Sequence, residues 1–130
     1  MVSIDTNIAV RLLVNDDHEQ TKRVVELFRT EQIFITKTVV LEAEWVLRGL
    51  YNLDRANVNK ALTALLSLER VQVEDGTALF AALDAHAKGM DFADALHLSS
   101  SQRADSFATF DATLRARSTK LQLAPQVVAP

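Results

Sequence analysis

Short apolar runs alternate along this chain with longer stretches whose apolar residues recur at helical spacing, and the alternation leaves few folds open. Residues 1–4, 32–35, 71–73, 106–110 and 121–123 read as strands. Segments 6–14, 17–30, 38–50, 76–88, 92–103 and 112–116 read as helices, with another that begins after Asp54 and carries Val58, Ala61, Leu62, Leu65 and Leu66. Asp17, Thr38 and Asp54 stand where N-caps are expected, and Gly89 stands where a helix should stop. Strands this short, joined by helices, predict an α/β fold with a parallel sheet. With three glycines, two prolines and no low-complexity tract, residues 1–130 read as a single domain.

Composition removes several classes of chemistry. The absence of cysteine excludes disulfides, thiolate catalysis and zinc–thiolate sites, and it suits a reducing cytoplasm. His18, His86 and His97 lie too far apart to match a zinc-ligand spacing. No apolar run approaches the roughly 18 residues of a membrane helix, and Asp5 interrupts the first apolar run, so neither a membrane span nor a secretory leader is expected. A net charge of −3 argues against a generic nucleic-acid coat. It leaves room for a nuclease whose acids gather in one pocket with basic residues around it.

Four segments place an acid beside an apolar stretch: Asp5 after residues 1–4, Glu42 after Val39-Val-Leu, Asp94 after Met90-Asp-Phe-Ala, and Asp111 after residues 107–110. A carboxylate in such a place is costly unless it is paired, capped or bound to a cation. Each acid also has an ordinary explanation. Asp5 and Asp111 can cap the helices that follow them, Asp91 or Asp94 can cap the next, and Glu42 can be a surface charge. Asn7 can complete a turn or hold a metal-bound water, Glu44 is expected to be exposed, Trp45 to lie in a core or interface, and His97 to be a structural hydrogen-bonder. Open parallel sheets bind ligands beyond the carboxyl ends of their strands, where Asp5 and Asp111 are expected, and right-handed crossovers could bring Glu42 and Asp94 to the same edge.

Taken together, the segments are more specific than any one of them. The opening apolar run into Asp5-Thr-Asn7, the block Glu42-Ala-Glu-Trp-Val-Leu-Arg48, the block Asp91-Phe-Ala-Asp-Ala-Leu-His97 and Thr109-Phe-Asp111 occur in order along the chain. This pattern resembles the PIN-domain ribonucleases, and among them the VapC-type toxins of prokaryotic toxin–antitoxin pairs, over essentially the whole sequence. The resemblance implies a PIN-like three-layer α/β fold, with a short central parallel sheet of about five strands flanked by helices, and an acidic quartet of Asp5, Glu42, Asp94 and Asp111. Asp91 would be a fifth acid, and Asn7 and Thr6 polar groups that shape the pocket. Ser3 departs from the more uniformly apolar first strand of the family.

Gathered carboxylates call for a hard divalent cation, Mg²⁺ or Mn²⁺. Direct ligation is expected from Asp5 and Asp94, with Asp111 direct or through water and Glu42 orienting a water or helping to hold a second ion. Water would attack the phosphodiester in line and leave 5′-phosphate and 3′-hydroxyl ends. RNA as substrate, of the tRNA or ribosomal RNA class, follows from the resemblance, as do a homodimer and a small cognate antitoxin protein. Among the candidate phosphate contacts Arg11, Lys37, Arg48, Lys88, Arg103, Arg115 and Arg117, those expected near the pocket are Arg11, on the helix that follows Asp5, and Arg115, just past Asp111. The alternative is a PIN-like module that binds RNA or protein without cleaving. A phosphoryl-transfer domain is disfavoured, because Asp5-Thr-Asn7 lacks the second aspartate of an Asp-x-Asp motif and no lysine lies close to Asp111.

Overall fold

Asp5 marks the point where the chain turns from strand to helix. Its extended backbone ends the first apolar run, and its side chain accepts the Ile8 N–H at 3.0 Å, starting a helix. The computed structural model describes all of Met1–Pro130 and divides into two compact units, Met1–Gly76 and Thr77–Pro130. Both mix helices with parallel strands, so the fold class is α/β.

In the first unit the order is β1 (Val2–Ser3), α1 (Thr6–Leu13), α2 (His18–Thr30), β2 (Ile33–Ile35), α3 (Lys37–Gly49), α4 (Arg55–Leu66) and β3 (Val71–Val73). The strands form a parallel sheet in the order β1-β2-β3, with Val2 opposite Ile33 and Ile35 opposite Val73. Ile33 and Ile35 are wholly buried on the central strand, where β-branched side chains pack well. Val40, Ala43 and Leu47 of α3 and Val58, Leu62 and Leu65 of α4 are buried at helical spacing. Asp17 and Asp54 cap α2 and α4 as expected. The cap of α3 is Thr36, not Thr38: Thr36 Oγ1 accepts the Val39 N–H, and the Thr38 hydroxyl lies 3.0 Å from that of Thr36. Lys37 then ties the start of α3 to the end of β3, its N–H donating to Glu74 and its ammonium pairing with Asp75.

The second unit contains α5 (Gly76–Ala87), which starts at the boundary, α6 (Phe92–Ser99), β4 (Ser106–Ala108), α7 (Ala112–Lys120) and β5 (Gln126–Val128). β4 and β5 pair in parallel, with Phe107 opposite Val127. Five strands are therefore present, hydrogen-bonded as three and two. Helix α5 ends at Gly89, whose φ of 107° suits glycine, while Met90 N–H reaches back to Ala85 C=O. Buried His86 meets Phe92 edge-on at 5.6 Å, and the Ser99 hydroxyl donates to Ala78 C=O, fixing α6 against α5.

The expected strand at 121–123 is absent. Helix α7 continues to Lys120, and Gln122, at φ 57°, turns the chain so that Leu123 N–H bonds Ser118 C=O. This termination usually uses glycine; here a glutamine adopts the left-handed conformation, and the last strand forms after Pro125. No helix is long and apolar enough to cross a membrane.

Candidate active site

Helix capping fixes three of the five acids. Asp5 Oδ1 accepts the Ile8 N–H at 3.0 Å at the head of α1. Asp91 Oδ2 accepts the Asp94 N–H at 3.1 Å at the head of α6. Asp111 Oδ1 accepts the N–H groups of Thr113 and Leu114 at 2.9 and 3.1 Å at the head of α7. The ordinary explanation of these acids is thus realised, but it does not exhaust them. Capping occupies one oxygen of each carboxylate, locks the rotamer, and leaves the other oxygen, exposed, to take a ligand.

Asp94 differs from the capping acids. It sits in the first turn of α6, half-buried, and its carboxylate accepts no hydrogen bond and forms no ion pair. Burial pushes its pKa above the usual carboxylate value; the nearby charges of Asp91 and then Asp111 push it further, and His97 opposes them. The charges of Asp91 and Asp111 are therefore both felt at Asp94. The all-oxygen donor set of these acids is the chemistry of a hard divalent cation, and the strain on Asp94 is the kind a cation relieves. The donors fit such an ion in kind. Neither unit on its own brings three acidic or imidazole side chains to ligand distance, so these acids lie at electrostatic range.

Asp5 and Glu42 belong to the first unit. Glu42, on α3, is exposed, as is Asn7, and Thr6 is half-buried at the first position of α1. The expectation that Glu44 is exposed is corrected: Glu44 is 3% exposed, and Arg48 Nε bonds it at 2.8 Å, one helical turn on. That pairing had a sequence signal, since a glutamate four residues before an arginine is a favourable helical pair. Trp45, 56% exposed, is not in the core.

The two arginines are held internally. Arg11 pairs with Asp16, and it donates to Gln20 Oε1 at 2.7 Å and to the Tyr51 hydroxyl at 3.4 Å. The Tyr51 hydroxyl, together with Arg11, holds Asp16 below the usual carboxylate range. Arg11 also lines a groove of about 350 Å³ between α1 and α2 with Asn7, Ile8, Arg23, Val24 and Leu27. Arg115 Nη1 donates to Thr109 C=O at 2.8 Å and so clamps the chain just before Asp111. Phe110, expected to be the last residue of a strand, lies beyond the end of β4 and is 88% exposed.

No curated protein matches the chain in sequence. The family model of the PIN domain matches residues 2–119, a stretch that includes Asp5, Glu42, Asp91, Asp94 and Asp111. With nearly the whole sequence matched, the chain belongs to the PIN-domain family.

Proposed function

We propose that this protein is a metal-dependent endoribonuclease of the VapC type, the toxin of a toxin–antitoxin pair. PIN domains are generally metal-dependent nucleases, which supports hydrolase chemistry at the coarse level. The observation that supports a metal site is Asp94: a half-buried carboxylate that accepts no hydrogen bond and forms no ion pair, destabilised as an anion by burial and then by the charges of Asp91 and Asp111. An isolated surface acid has no such penalty, and a structural one would be paired.

In this reading Asp94 and Asp111 would hold Mg²⁺ or Mn²⁺, with Asp91 adding negative charge and fixing the start of α6. On the resemblance, Asp5 is a further ligand and Glu42 orients water, with Thr6 and Asn7 in support. A bound divalent ion lowers the pKa of water and polarises a phosphate oxygen. Water attacks phosphorus in line, the bond to the 3′-oxygen breaks, and 5′-phosphate and 3′-hydroxyl ends result. Capping holds Asp5, Asp91 and Asp111 in one rotamer each, so little ordering remains to be done when substrate binds.

RNA of the tRNA or ribosomal class is the proposed substrate. A small antitoxin and a second copy of the chain are the proposed partners, and the cytoplasm the proposed location. Exposed Trp45 and Leu50 provide apolar surface that suits protein partners. Arg11 and Arg115, held by internal contacts, remain proposed RNA contacts only through their unused donors. The test is incubation with total cellular RNA. Cleavage that requires Mg²⁺ or Mn²⁺, stops with EDTA and leaves ligatable 5′-phosphates supports the reading. Cyclic 2′,3′-phosphate ends, or cleavage unaffected by EDTA, contradict it.

A further inference from the structure

Phe110 is the most exposed large apolar side chain of the protein, at 88%, against 67% for Leu50 and 56% for Trp45. A phenyl ring left in water forgoes the burial that folding normally gives it, so its position invites a functional explanation. Its backbone is held on both sides. On the N-terminal side, Thr109 N–H bonds Val128 C=O at 2.9 Å, extending the β4–β5 pairing, and the Arg115 guanidinium grips Thr109 C=O at 2.8 Å. On the C-terminal side, Asp111 N–H donates to Thr109 Oγ1 at 3.0 Å, while the Asp111 carboxylate caps α7 through two bonds. The ring therefore projects from a rigid corner. It is adjacent in the chain to Asp111, whose charge is felt at Asp94.

We propose that Phe110 is a stacking platform for an unpaired base of the RNA, next to the phosphodiester to be cut. The inference rests on the nuclease reading and adds to it a positioning residue and a substrate form: single-stranded RNA with an unstacked base. An aromatic ring with few rotatable bonds, on a pinned backbone, loses little entropy when a base stacks on it. A π-face accepts any base, so the contact holds the strand without dictating its sequence. An acid cluster repels phosphates, which makes an uncharged anchor beside it useful for keeping the strand in register. Exposure alone would equally suit a protein contact. The position beside Asp111 favours a base.

The experiment measures binding by fluorescence anisotropy in EDTA, so that no cleavage occurs. It uses two labelled probes: a short unstructured RNA of mixed sequence, and an oligomer of the same length with abasic ribose at every position. Phe110→Ala is expected to weaken binding of the mixed-sequence RNA roughly 5- to 100-fold and to leave binding of the abasic oligomer unchanged. Phe110→Trp is expected to retain wild-type affinity for both. Unchanged binding of the mixed-sequence RNA by Phe110→Ala overturns the proposal, and so does equal weakening for the two probes, which would mark Phe110 as structural. Unchanged RNA binding with loss of a self-associated species in sedimentation would assign the ring to a protein contact instead. Failure of the nuclease reading has its own readout, wild-type protein that cleaves no RNA in Mn²⁺. Stacking can fail while that cleavage is intact.

Discussion

At the scale of single residues, charge and burial decide which acids matter. Asp94 keeps an ordinary pKa in the unfolded chain and a raised one in the folded chain. The folded state therefore binds the proton more tightly, so stability falls as pH climbs through the usual carboxylate range to the raised value and stays lower above it. Asp94→Asn removes that penalty. In EDTA the variant should melt above wild type at neutral pH, and the gap should close in acid, below the ordinary carboxylate range. A wild type that melts at or above the variant at neutral pH would contradict this account of the residue. Glu44 and Arg48 give an opposite case, a buried acid held by a half-exposed arginine. Arg48→Ala strands the Glu44 charge and should cost about 1–3 kcal/mol, whereas Glu44→Leu, which removes the buried charge itself, should cost clearly less. Urea denaturation of the two variants checks the order, and equal losses would contradict it.

At the scale of elements, the sequence was most legible where a local signal acts alone. Asp17 and Asp54 cap their helices and Gly89 ends α5, as their residue types dictate. It was least legible where one residue overrides its usual preference. Gln122 adopts a conformation normally left to glycine, so α7 runs longer than expected and the last strand lies beyond Pro125. At α3, Thr36 and Thr38 both suit a cap, and the geometry at the end of β2 chooses between them. The candidate site was legible as a set of residue types; which carboxylate oxygens capping uses, and the exposure of Phe110, depend on tertiary placement. Capping also allows two roles of one acid to be separated. Asn caps about as well as Asp, whereas Ala costs about 0.5–2 kcal/mol. Asp5→Asn should therefore keep the melting temperature of wild type and lose RNA cleavage, while Asp5→Ala should lose both. Retained cleavage in the folded Asn variant would restrict Asp5 to capping.

At the scale of the whole molecule, the parallel-sheet α/β class was legible from the alternation of short strands and helices, and the division of five strands into three and two was not, because pairing partners depend on contacts distant in sequence. A ligand that binds only the folded form stabilises that form. Mn²⁺ at about 100 times its dissociation constant should add about 2.7 kcal/mol, read as a rise in melting temperature that Asp94→Asn largely abolishes. An equal rise in both proteins would place the ion elsewhere. The most direct test of the central claim compares wild type with folded Asp94→Asn on total RNA in Mn²⁺, with the new 5′ ends sequenced. Discrete 5′-phosphate ends from wild type, reduced at least about 100-fold in the variant, are the predicted result. The same ends at the same rate from both proteins would contradict it.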